Sequence, residues 1–184
     1  MANLESKKQL KVKELLLEIN SNDIARVKKG LNSLKIHGDS SVIRSLLTII
    51  KNQDAEDEQI NKEIWQFLHD LSDSSAATEV IACVKDDEYS DLHILLLHSM
   101  WNSKLNYSEF LSAIVTKAIK GNFMIALECL TIIENLDGPF EAGSVMESQL
   151  LLAESVKDKN KDPQKDQLMS EIATFVKSFD RLAE

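Results

Sequence analysis

Residues 100–135 read MWNSKLNYSEFLSAIVTKAIKGNFMIALECLTIIEN. The first part of this stretch, with His98 just before it, holds the residue types of an active site, but their spacing describes a bend between helices. Trp101 ends one apolar-periodic segment, and Asn102-Ser103-Lys104-Leu105 is the turn. Asn106, followed three residues later by Glu109, forms a capping box in which each side chain satisfies an orphan amide of the next helix. That helix puts Tyr107, Phe110, Leu111, Ile114 and Val115 on one face. Trp101 and Tyr107 flank the bend and are expected to pack across it. Gly121 stands just past the helix end, as C-terminal glycines do, and FMIALECL opens a third helix.

The same grammar extends in both directions. Apolar positions recur at three- and four-residue spacing, which predicts ten helices, at 3–20, 23–36, 40–52, 56–72, 75–85, 90–102, 107–120, 122–136, 144–158 and 163–182. Asp39-Ser40 offers a cap to SVIRSLLTIIKN, Ser144 and Glu147 read as a second capping box, and Gly38 reads as a second C-terminal glycine. Asp162-Pro163 places an acceptor at a cap and proline at the first helical position, where its missing N–H costs nothing. No segment of useful length alternates with period two, so essentially no sheet is expected.

The helices recur in pairs. Leu46-Leu47, Ile81-Ala82 and Ile114-Val115 hold matching places in three helices, at intervals of 35 and 33 residues. In the intervening helices, rows begin at Leu31, Leu68, Leu97 and Leu127, at intervals of 37, 29 and 30. One such hairpin cannot cover its own apolar stripe, so neighbours must stack and share a core.

The segments 31–52 and 100–135 carry a likeness to a known family. In each, an apolar helix meets a short polar turn and a second helix of the form S-x-x-x-L/A-I/L. The chain resembles HEAT-like (armadillo-type) repeats over about residues 23–158, in particular the short degenerate arrays of bacterial proteins. The turn proline and the ladder asparagine and arginine of stronger repeats are missing. The resemblance implies an all-α fold, a right-handed α-α superhelix of about four to five antiparallel helix pairs. It also implies an inner helix ridge that binds another protein, although a few HEAT-like folds act on DNA bases or pigments. The expected organisation is one domain over 1–184. Residues 1–22 cap the repeat pairs of 23–158 at one end, and 159–184 cap them at the other. The caps are read from the stripes Leu4, Val12, Leu15, Leu16 and Ile19, and Leu168, Ile172, Phe175, Val176 and Phe179.

Composition narrows the function. The 184 residues contain only 5 Gly and 2 Pro, and 43% of them are hydrophobic, which suits long helices around a continuous core. The net charge of −9 is uneven: residues 1–52 carry +5 and the remainder −14. An acidic body repels phosphate backbones, so nucleic acid is an unfavoured partner. The basic head can meet an acidic protein or a second copy, so self-association is an alternative. Neither a signal peptide nor a membrane span is read, which gives an expectation of a soluble, cytoplasmic protein without membrane insertion.

Chemistry is poorly represented. Cys83 and Cys129 lie in apolar runs and read as buried small hydrophobes. His93 and His98 are five residues apart and face different ways, and His69 with Asp73 supplies too few ligands for a metal. Asp158, Asn160 and Asp162 open like a calcium loop, but Pro163 stands where its glycine belongs and Met169 where its bidentate glutamate belongs. The acidic runs 56–58 and 86–88 fall at helix starts, where negative charge suits the dipole. No catalytic residue, cofactor or metal site is expected. The expected function is that of a non-catalytic scaffold or adaptor. Its partner-binding positions are Arg44, Thr48 and Lys51, then Glu79 and Lys85, then Ser112, Thr116 and Lys120. The alternative is a HEAT-like enzyme acting on nucleic-acid bases.

Overall fold

The computed structural model describes residues 2–21, 23–37, 40–52, 58–155 and 162–182. These residues form α1 (Ala2–Ile19), α2 (Ile24–His37), α3 (Val42–Asn52), α4 (Glu58–His69), α5 (Ser75–Lys85), α6 (His93–Asn102), α7 (Leu111–Lys120), α8 (Phe123–Glu134), α9 (Ala142–Ser155) and α10 (Pro163–Ser178). The fold is all-α, with no strand among the described residues. Tight 3-10 turns at Asp87–Leu92, Ser108–Phe110 and Phe179–Arg181 replace the ends of three expected helices. By its internal contacts the chain divides into two compact units, residues 1–80 and 81–184, with the boundary inside α5.

In the first unit α1 packs on α2 and α3, and α4 packs on α2 and α3. Alternate helices therefore lie side by side, α1 beside α3 and α2 beside α4. Leu15 and Ile19 of α1 are buried, as are Leu46 and Leu47 of α3 and Ile64 and Leu68 of α4. Each such side chain contributes roughly 1.5–3 kcal/mol through removal from water. Among the described residues three ion pairs cross the surface of this unit: Lys28 to Glu63 (3.1 Å), Lys35 to Asp70 (2.7 Å) and Arg44 to Glu79 (2.6 Å). Each joins residues 35 positions apart. Lys35 holds the Asp70 carboxyl below its usual range. Half-exposed pairs of this kind are worth at most about 1 kcal/mol each, so the apolar rows carry the stability.

The second unit repeats the pattern. α8 packs on both α6 and α10, α7 packs on α9, and the two rows meet where α7 touches α8 and α9 touches α10. The connector between α8 and α9 is tied at Gly138 through both of its backbone polar groups. Asn106 donates to the Gly138 carbonyl (2.7 Å), while the Gly138 amide donates to Ser108 Oγ (3.1 Å). Gly138 has φ +78°, a conformation that favours glycine. Two residues on, buried Phe140 stacks on Phe179 with ring centroids 4.1 Å apart.

The caps agree with the sequence in part. Asp162 accepts from the Gln164 amide with proline behind it, and Asn122 accepts from the Ile125 amide. Asp86 accepts from the Glu88 amide, and Asn106 from that of Ser108. The Asn106–Glu109 capping box is corrected, because the 3-10 turn follows Tyr107 and α7 follows Phe110, neither with a side-chain cap. The Ser144 capping box is corrected, because α9 starts two residues earlier and the Ser144 hydroxyl is buried with no hydrogen-bond partner among the described residues. Gly121 stands at the C-cap of α7, as its spacing suggested, with an extended backbone (φ −76°, ψ 173°) and its amide donating to the Lys117 carbonyl. What it needs is space, because Ile125 of α8 lies against its Cα. Gly38, Asp39, Glu56, Asp57 and the start of the calcium-like run lie outside the described residues.

Candidate interaction surfaces

The expected partner-binding residues fall on α3, α5 and α7. In the first unit, Arg44 and Glu79 are half-exposed and bonded to each other, and Thr48 Oγ1 donates to the Arg44 carbonyl (2.9 Å). Arg44, Thr48 and Glu79 thus form one group, with exposed Lys51 in the last turn of α3. In the second unit, Ser112 and Thr116 are half-buried and linked, Thr116 Oγ1 donating to the Ser112 carbonyl at 2.8 Å. Lys85 and Lys120 are exposed in the last turns of α5 and α7. Lys51, Lys85 and Lys120 therefore hold matching places near the ends of three helices, at intervals of 34 and 35 residues.

Two further lysines lie where sequence spacing gave no hint. Lys117 Nζ donates to the Val84 carbonyl (2.8 Å) and to His93 Nδ1 (2.7 Å). His93 Nε2 sits 3.0 Å from the Asp86 carbonyl, so the ring donates there and accepts from Lys117. Lys165 Nζ donates to the Ile119 and Gly121 carbonyls, each at 2.6 Å. In both places a cation from another helix closes the C-terminal end of α5 or α7, where orphan carbonyls and the helix dipole favour it.

Burial holds the His93 imidazole below its usual pKa, assisted by the Lys117 charge, and burial lowers Lys117 as well. Because the folded pKa of His93 lies below the unfolded one, the unfolded chain binds the extra proton first as pH falls. Stability is then full above pH ~6.5 and declines below it. Urea denaturation from pH 8 down to 5 should show this decline in the wild type and a shallower one in His93→Gln; equal slopes would remove His93 as its source.

The opening bend resolves differently from the expected aromatic pair. The ring partner of Trp101 is His98, edge to face at 4.6 Å, and Trp101 Nε1 donates to Glu128 on α8 (2.8 Å). Tyr107 is buried beside the bend, where burial pushes its hydroxyl up to about 12. His98, Trp101 and Glu128 thus form a half-exposed polar group joining α6 to α8, a link 27 residues long that neither helix signals alone.

A cleft of about 760 Å³ opens between α7, α9 and α10. Ile119, Leu152 and Met169 line it, with Lys165, Asp166 and Lys177 among its polar groups. Its size lies within the range of small-molecule sites. No aromatic side chain is among its described lining residues. Cys129 is fully buried and its thiol is pushed up to about 12, so it stays protonated and is no nucleophile. No cluster of three or more His, Cys, Asp or Glu able to hold a metal occurs among the described residues. Nor is any described helix long and apolar enough to cross a membrane. Compared with protein-family models, with curated proteins and with solved structures, the chain matches none.

Proposed function

We propose that this protein is a HEAT-like α-solenoid that acts as a non-catalytic interaction module in the cytoplasm, binding acidic stretches of another protein through the exposed end of α3 in the first unit and the exposed ends of α5 and α7 in the second. The observation that carries the reading is the recurrence of one exposed lysine in the last turn of each of these helices, at Lys51, Lys85 and Lys120. The packing of alternate helices within each unit supports the repeat architecture, as do the ion pairs at a constant 35-residue separation. Complementary charge would steer the partner and fix its register more than it would add affinity. Arg44 is already bonded to Glu79, so it serves the fold first, and Lys51 has a partner as well, which makes Lys85 and Lys120 the cleaner probes of the three lysines.

Action on nucleic-acid bases is less well supported. It calls for a basic groove with aromatic side chains to stack a flipped base. The cleft between α7, α9 and α10 has no aromatic lining among its described residues, and it mixes Asp162, Asp166 and Asp180 with its lysines.

The test is affinity capture from host lysate with the wild type beside a Lys51→Glu, Lys85→Glu, Lys120→Glu variant. A protein held by the wild type should be retained at least about tenfold less by the variant. The variant's stability should stay within about 0.5 kcal/mol, as expected for exposed positions. Identical capture by both would overturn the assignment of these lysines.

A further inference from the structure

We propose that copies of this protein associate head to tail, the exposed face of α1 in one copy seating on the exposed face of α9 in the next. This partner is independent of the acidic protein proposed for α3, α5 and α7.

On α1, Leu15 and Ile19 point into the first unit, yet Leu10 and Leu17 are 60% and 74% exposed. They are seven residues apart, two helical turns, and so form one apolar stripe on the side away from the core. Lys7, Lys11 and Lys13 are exposed on the same helix, against one exposed acid, Glu14, among its described side chains.

α9 offers the counterpart. Val145, Ser148 and Leu152 are buried, while Met146 and Leu150, one turn apart, are 62% and 59% exposed. The helix contains no Lys or Arg; Glu147 and Glu154 are exposed on it, and exposed Glu141 precedes it. Gly143 and Ala153 are exposed beside the stripe and leave room for close approach. A Cβ placed on Gly143 would meet nothing nearer than Glu141 Oε1, at 3.9 Å.

Each face thus carries two large apolar side chains that folding leaves in water. One is bordered mainly by lysines of its own helix, and the other by glutamates on or just before its helix. Neither complements itself in charge, and each complements the other. A contact between two different surfaces is heterologous, and it extends into chains unless rotation closes a ring. Two single-helix faces bury less than the roughly 1,600 Å² of a standard interface, so the association is weak and concentration-dependent. Salt weakens it by screening the bordering charges.

The experiment is sedimentation velocity on the full chain over a wide concentration range, at low and high salt. One variant blocks the first face (Leu10→Lys with Leu17→Lys) and another blocks the second (Glu147→Lys with Glu154→Lys). All four positions are exposed, and circular dichroism melts confirm folding; Leu17→Gln and Glu147→Gln serve as milder versions should either variant fold poorly. The wild type should form growing oligomers at low salt, with an apparent Kd raised at least about tenfold at high salt. Each variant alone should stay monomeric. Mixed together they should form a one-to-one dimer and stop, because each retains the face the other lacks. A wild type that is monomeric throughout overturns the proposal. So does unchanged association of the α9 variant, which would indicate α1 meeting α1, or a mixture that remains two monomers. A monomer that floats with anionic vesicles through α1 also overturns it and makes lipid the occupant of that face.

Discussion

Phe140→Ala is expected to lower the unfolding free energy by about 3–5 kcal/mol. Phe140 is 1% exposed and lies nearly parallel to Phe179, with 14° between the rings. The substitution removes the buried surface of a whole ring and leaves a cavity between the α8–α9 connector and the end of α10. It also strips Phe179 of its stacking partner, a contact worth about 0.5–1.5 kcal/mol beyond simple burial. A domain of this size has about 5–15 kcal/mol of stability to lose, so the variant should melt far below the wild type. Urea denaturation followed by circular dichroism measures the loss, with Phe179→Ala and the double variant completing a cycle. A loss under about 1 kcal/mol would mean that the connector does not depend on this stack.

Gly121→Ala is expected to destabilise by about 1–3 kcal/mol, and its sign is informative. The backbone at Gly121, with φ −76°, suits alanine as well as glycine. Conformational entropy alone would therefore make the substitution stabilising by about 0.4–1 kcal/mol. Packing decides the opposite. An added Cβ would stand 2.5 Å from Ile125 Cβ and 3.0 Å from the Lys117 carbonyl oxygen. Ile125 is branched at that carbon and buried on α8, so it cannot rotate out of the way. The same denaturation experiment measures it; a gain in stability would show that α7 and α8 separate easily at this corner.

Much of the helical grammar was legible because its signals are local. Asp162-Pro163 caps α10 as its spacing announced, Gly121 stands at the end of α7, and the apolar spacing placed ten helices close to where they lie. The start of α9 was read two residues late because Ala142 and Gly143 carry no cap signal, so Ser144 looked like the first one. The repeat length was legible only roughly. Apolar rows drift between 29 and 37 residues because a buried stripe accepts a substitute one position along. The ion pairs hold at 35 because a charged tip must meet one particular oxygen. Of the proposed surface, Lys51, Lys85 and Lys120 are exposed as the spacing suggested. The Arg44–Glu79 bond and the Trp101–Glu128 bond needed a register between helices that no single segment encodes. Lys117 and Lys165 were unremarkable in the sequence, since a lysine that fastens a distant helix end looks like one that points into water.

Those two lysines bear on how the chain matures as it is made. The carbonyl at the end of α5 waits 33 residues for Lys117, and those at the end of α7 wait 44 and 46 residues for Lys165. At ribosomal speeds that is an interval of about two to nine seconds, during which water holds the place of the cation. Each helix pair is therefore finished by the next to emerge, and α7 is secured only when α10 arrives. A ribosome that stalls before residue 165 leaves a chain whose apolar rows are largely present but whose last fastening, at the end of α7, is missing.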